Sequence, residues 1–142
     1  MKRFALALRY IIGALFIYAG AMKIQDPAGF GTDIDHYWIV PYFATGLIAI
    51  YLPWLEVVCG LAMIGNRARA GAQILVLTMS GVFTIALGAA WARGLDINCG
   101  CFGRSGSPGL PLAFARAVLL CGAMVFLIRD FGQTARDPSE PK

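Results

Sequence analysis

The sequence predicts an all-α integral membrane protein, a four-helix bundle, and three observations carry that prediction. Of its 142 residues, 58% are hydrophobic and only 14% charged, and the mean hydropathy is +0.68. That is too little charge to solvate the surface of a soluble domain of this size. Four apolar runs, residues 4–22, 42–64, 70–92 and 110–128, each approach the roughly 20 residues a helix needs to cross the hydrocarbon core. Lipid offers no partner to a free backbone N–H or C=O, so runs of this length must be helical. The connections between them are short, and residues 1–142 therefore read as a single membrane domain.

The first run, Phe4 to Met22, follows Lys2 and Arg3 and ends near Ala19-Gly20-Ala21, which has the look of a signal peptide with a small-residue cleavage site. Its length, the interruption at Arg9 and the three further runs favour an uncleaved spanning helix instead. The first connection, Gln25 to Pro41, is rich in aromatic residues. Ile34, Tyr37 and Trp38 stand at helical spacing with Phe30 a turn earlier, which predicts a short amphipathic helix at the outer interface, or else an aromatic belt anchoring the span ends. Gly13 and Gly20 in the first run, and Gly81 and Gly88 in the third, place small residues where helices approach closely.

Loop charge sets the orientation. Lys2, Arg3, Arg67, Arg69, Arg129, Arg136 and Lys142 lie on one side, whereas the first connection carries Asp26, Asp33 and Asp35. The third connection, with Arg93, Asp96 and Arg104, is ambiguous by charge, and the even number of spans settles it: both termini face the cytoplasm, and the first and third connections face outside. The net charge of +4 is scattered between apolar runs without a basic stripe, which excludes nucleic acid as a partner. The partner that composition demands is the lipid bilayer.

The third connection reads Gly94-Leu95-Asp96-Ile97-Asn98-Cys99-Gly100-Cys101-Phe102-Gly103-Arg104. Two thiols on an oxidising side of a membrane can pair as a disulfide. Such a bond needs Cα atoms about 4.4–6.8 Å apart, and residues i and i+2 meet that only around a residue as permissive as glycine. A ring this small is strained, and strained disulfides are the easily reduced, catalytic or regulatory ones. Arg93 and Arg104 flank the pair and would favour a thiolate, while Asp96 opposes them. Two other readings stand beside redox exchange. An inert crosslink over so short a loop restrains the unfolded chain little. A metal site finds two ligands here where structural zinc takes four, with His36 and Asp96 the nearest additions. Cys59 and Cys121, inside the second and fourth runs, read as small buried residues, with a second relay pair as the alternative.

Ionisable residues within spans are costly and mark functional positions. Glu56 lies deep in the second run, Arg9 about one turn inside the first, and Arg116 a turn or two inside the fourth. Arg9 extending inward to Glu56 is the pairing expected here, either for function or to fix helix packing. Pro53 should bend the second helix just before the acid, and Trp54, Trp91 and Tyr18 would either line a cavity opened there or serve as aromatic packing. With Tyr37 they make Glu56, Arg9, Trp54 and Trp91 the expected cofactor-binding positions.

These residues together resemble the methylamine-utilisation MauE family, within the wider DoxX-like group of small membrane proteins. The matching features are Arg9, the Tyr18-Ala19-Gly20-Ala21-Met22-Lys23 exit from the first helix, Asp26-Pro27 with Phe30, and Tyr37 ahead of Pro41. Leu52-Pro53-Trp54-Leu55-Glu56 and the Cys99-Gly100-Cys101-Phe102-Gly103 loop complete the set, over about Arg9 to Ile128. The resemblance implies a bacterial inner-membrane protein tied to periplasmic disulfide chemistry, working with a thioredoxin-like partner on a disulfide-rich client. The expected function is therefore thiol–disulfide exchange by Cys99 and Cys101, with a quinone bound among the helices as the second redox partner. A non-enzymatic assembly or ligand-binding protein and metal handling by the cysteine pair are the competing functions.

Overall fold

The structure, a computed structural model, describes residues 2–65, 69–94 and 109–136. They form five helices: α1 (Lys2–Gln25), α2 (Pro27–Asp35), α3 (Tyr42–Ile64), α4 (Arg69–Ala92) and α5 (Leu110–Arg136). No strand occurs among the described residues. Four helices are long and apolar enough to cross a membrane, over Arg3–Gln25, Phe43–Ile64, Ala70–Ala92 and Leu110–Gly132. All four expected spans are present, the first and last running a few residues further than the apolar stretches alone suggested. Their outer faces carry the large apolar side chains a bilayer solvates, among them Phe43, Ile85 and Leu119.

The helices associate as two antiparallel pairs, α1 with α3 and α4 with α5. Glycine makes the first pair intimate. A Cβ on Gly60 would stand 2.6 Å from the Gly13 carbonyl oxygen, and one on Gly20 would stand 2.7 Å from the Pro53 carbonyl oxygen. Such backbone-to-backbone contact is how helices gain dispersion energy where lipid removes the hydrophobic drive between them. In the second pair Gly88 accommodates the Phe114 ring, whereas Gly81 faces open space. The expected small-residue stripe is thus a contact surface at both positions on α1 and at one of two on α4.

Two buried clusters divide the bundle along its axis. At the end bearing the chain termini, Ala5 and Ile12 of α1, Cys59 and Met63 of α3, Ala72 and Val76 of α4, and Met124 and Leu127 of α5 form one core shared by all four spans. At the opposite end Leu87 and Ala90 of α4 and Leu110, Ala113 and Ala117 of α5 close around Tyr37, which comes from the connection between α2 and α3.

The helix expected in the first connection exists and holds Phe30 and Ile34, but it ends at Asp35, ahead of Tyr37 and Trp38. Asp26 caps it, accepting from the Gly29 N–H at 2.9 Å, with Pro27 at its first position, the arrangement that satisfies orphan donors at a helix start. Phe30 and Gly29 form its buried face. Tyr37 and Trp38 are not on it. The Tyr37 N–H donates to the Ile34 carbonyl and the Trp38 N–H to the Asp35 carbonyl in tight turns, and Trp38 takes a φ of 53°. That left-handed residue sends the two neighbours apart, Tyr37 into the bundle and Trp38, 81% exposed, out of it. Helical spacing in the sequence therefore failed to describe residues beyond Asp35.

Candidate functional site

Polar chemistry gathers at the α2 end. Side chains on a helix tilt toward its N-terminus, so Lys23, near the end of α1, leans back into the bundle. Glu56, on the antiparallel α3, leans toward the α2 end. They meet, with Lys23 Nζ donating to Glu56 Oε1 at 2.5 Å, both side chains buried. Phe30 of α2 covers the pair, its ring centre 5.0 Å from the ammonium, so the cation is held between a carboxylate and an aromatic face. Glu56 Oε2 is buried without a hydrogen-bond partner among the described residues. Thr45 Oγ1, in the first turn of α3, donates to Asp35 Oδ1 at 2.7 Å and ties down the end of α2.

The expected Arg9–Glu56 pair is replaced by Lys23–Glu56. Gly13 packs against Gly60 and Ile64, so Arg9, a further turn toward the N-terminus, lies beyond the end of α3. Glu56 is more than two turns away along α3. Arg9 is buried there, its guanidinium 5.1 Å from the Tyr10 ring centre. The signal that would have found Lys23 is Asp26-Pro27: a cap at Asp26 lets α1 continue to Gln25 and makes Lys23 a helical residue rather than a loop boundary.

Nor do the aromatic residues surround Glu56. Trp54, Trp91 and Tyr18 are each more than half exposed on the outside of the bundle, and Trp91 packs on Phe114 at 5.6 Å between ring centres. Pro53 lies within α3 without ending it and is fully buried, where it contacts α1. The space beside it is an exterior apolar groove of about 540 Å³ lined by Leu47, Tyr51, Trp54, Leu55 and Val58, not a chamber around the acid. Arg116 is exposed on α5, near enough to the helix end for its guanidinium to reach an interface. His36 caps the end of α2 and is exposed.

Tyr37 is the expected cofactor-binding residue that the structure most clearly places at a junction. Burial, and behind it the charge of Asp33, push its phenol up to about 12. Its hydroxyl has no hydrogen-bond partner among the described residues. Its carbonyl accepts from Arg93 Nη2 at 2.8 Å, while Arg93 Nε donates to the Ala89 carbonyl at 3.2 Å. Arg93, expected to act on the thiols by its charge, is thus committed to two backbone carbonyls.

Cys99 and Cys101 lie outside the described residues. Cys59 and Cys121 are free thiols, the first buried in the shared core and the second 3.5 Å from Thr84 Oγ1. Sequence inspection also passed over Gln73, fully buried in α4 with neither amide atom partnered among the described residues.

Four lipid-length helices, a buried ion pair between two of them and a capped short helix over it define a multi-pass membrane protein. The chain belongs to the MauE family: the family model described as methylamine utilisation protein MauE matches residues 1–129. A relative from Methylophilus methylotrophus, methylamine utilization protein MauE, is 29% identical over 118 residues, covering 80% of this chain. The matched region amounts to 62% of that relative's length. No solved structure matches the chain.

Proposed function

We propose that the protein is a membrane thiol–disulfide redox protein whose Cys99-Gly100-Cys101 pair exchanges electrons with a thioredoxin-like partner or disulfide-bearing client. The single observation that carries the reading is this glycine-linked thiol pair in a connection between two membrane-spanning helices of a MauE family member. In the exchange, a thiolate attacks a disulfide sulfur, a mixed disulfide forms, and the second thiol of the attacking pair resolves it. Two electrons and two protons pass from the dithiol that is consumed to the one that forms. Lys and Arg placement supports an orientation with the pair on the side away from the cytoplasm, which in a bacterial inner membrane is the periplasm. A quinone would supply the acceptor for the two electrons and two protons in an onward step, although Trp54 and Trp91, expected to line its site, face outward and do not enclose one. The family's description supports participation in methylamine utilisation, and a disulfide-rich client is the substrate that the proposed thiol exchange would serve there.

The test is exchange with a reduced thioredoxin. The oxidised, detergent-purified protein is expected to oxidise it, and Cys99→Ser and Cys101→Ser to lose at least about a hundredfold in rate, because each removes one half of the resolving pair. Wild-type rates in both variants would overturn the reading and favour a binding role for the exterior groove. Reoxidation of the reduced protein by added quinone tests the onward step, and failure with both benzoquinones and naphthoquinones would remove it.

A further inference from the structure

Much of the bundle's outer surface asks nothing of a hydrocarbon solvent. Val82 and Ile85 of α4 and Val118 and Leu119 of α5 are exposed and aliphatic. Thr78, also exposed on α4, satisfies its hydroxyl within its own helix by donating to the Ile74 carbonyl at 3.0 Å. The outer face of α3 differs. Tyr51 and Trp54 are 69% and 58% exposed, and they bracket Pro53 near the middle of the span Phe43–Ile64. At 1.5 Å per residue each lies at least about 12 Å from either end of that span, beyond the reach of a phenol or an indole to water. Neither polar group has a hydrogen-bond partner among the described residues. In membranes these two residue types belong at the water interface, where the polar end is wet. At mid-depth an unpaired hydroxyl or N–H is costly, and a lipid tail offers it no acceptor.

The shape of this face narrows what covers it. Every residue lining the exterior groove of about 540 Å³ comes from α3, so no second helix supplies the wall a small molecule needs to bury most of its surface. Leu47, Tyr51, Trp54, Val58 and Leu61, all exposed, follow at steps of four, three, four and three residues. That is the spacing with which one helix meets another. The indole N–H only donates, whereas the tyrosine hydroxyl also accepts. The same face on a second chain therefore carries the acceptor that Trp54 lacks, and a two-fold axis along the membrane normal makes the contact twice. We propose that the outer face of α3 is a self-association surface: two copies of this chain pack α3 against α3, with the Trp54 N–H of each donating to the Tyr51 hydroxyl oxygen of the other. No residue of the thiol chemistry takes part in this contact.

The experiment is the dimer fraction of the full-length protein in liposomes over a range of protein-to-lipid ratios, read by single-molecule photobleaching of a C-terminal fluorescent label. The wild type is expected to dimerise. Tyr51→Phe and Trp54→Phe should each raise the dissociation constant about fivefold or more, since a hydrogen bond between helices is lost twice. The double variant should match the weaker of the two single ones, because both substitutions remove the same pair of bonds. Ile85→Ala, on the aliphatic face of α4, should leave the constant unchanged. All three positions are exposed, so helix content should stay wild-type throughout. A wild type that remains monomeric at every ratio, or a dimer whose constant moves less than about twofold in both single variants, would overturn the self-association surface. A monomer that carries a lipid-soluble carbonyl compound, identified by mass spectrometry and lost in both single variants, would also overturn it and assign the two donors to a small ligand.

Discussion

The two ends of this bundle solve the same packing problem differently. At the end bearing the chain termini, alanines, methionines and branched residues from all four spans fill one core. At the α2 end the helices are held by groups that do not belong to the spans' apolar stripes: a lysine–glutamate pair roofed by Phe30 between α1 and α3, and Tyr37, from the connection before α3, wedged between α4 and α5. An apolar core in lipid is stable but indifferent to what lies above it. A core closed by a loop tyrosine and a buried ion pair links the membrane helices to the extramembrane connections. The lesson is that the first connection completes the fold at the end from which the cysteine-bearing segment emerges.

Removing one partner of the ion pair should break this arrangement most severely. Lys23→Met strands the Glu56 carboxylate among apolar groups and is expected to cost about 3–5 kcal/mol of stability, the usual penalty for an unpaired buried charge. Chemical or thermal unfolding in detergent measures it. Lys23→Met with Glu56→Leu should recover most of the loss, and a double variant as unstable as the single one would mean that the pair's charge is not what holds α1 to α3. At the other end, Met124→Ala should cost about 2–5 kcal/mol by cavity formation, with thiol exchange at Cys99 and Cys101 untouched. A change in exchange rate there would contradict the division between the two ends.

Much of this contrast was readable from residues, and the part that was not has physical reasons. Span length and apolarity located all four long helices, because lipid forces the backbone into helix whatever the tertiary contacts. Glu56 was identified as a buried ionisable group, but its partner was misassigned. Which helix face a charge occupies depends on where α1 ends, and that is decided by the Asp26-Pro27 cap rather than by hydropathy. Tyr37 and Trp38 looked like neighbours on one amphipathic face, yet the left-handed Trp38 separates them, a backbone choice invisible to periodicity. Trp54 and Trp91 are aromatic residues facing outward, and composition alone does not distinguish a lipid-facing ring from one lining a site. The Cys99-Gly100-Cys101 motif is legible as chemistry because it is local in sequence.

The smallest expected effect is a titration. Burial and the Asp33 charge push the Tyr37 phenol up to about 12, against an ordinary value of 10.0. A raised value means that the folded state prefers the neutral phenol. Its contribution to stability is thus complete below about pH 10 and drains away between about pH 10 and 12. Tyrosinate absorbance should show one late step near pH 12 that Tyr37→Phe removes, while that variant remains as stable as wild type at neutral pH, since the hydroxyl has no hydrogen-bond partner among the described residues. An unchanged late step in Tyr37→Phe would assign it to another tyrosine and weaken the account of the α2 end.

The most direct measurement of the central claim is the number and position of alkylatable thiols in protein taken from membranes, equilibrated with glutathione at set ratios of oxidised to reduced form, acid-quenched and then denatured. The chain has four cysteines. The redox account predicts that two resist alkylation, that these are Cys99 and Cys101 joined to each other, and that reduced dithiothreitol releases both together as a two-electron couple. Four alkylated cysteines at every ratio of oxidised to reduced glutathione would contradict it.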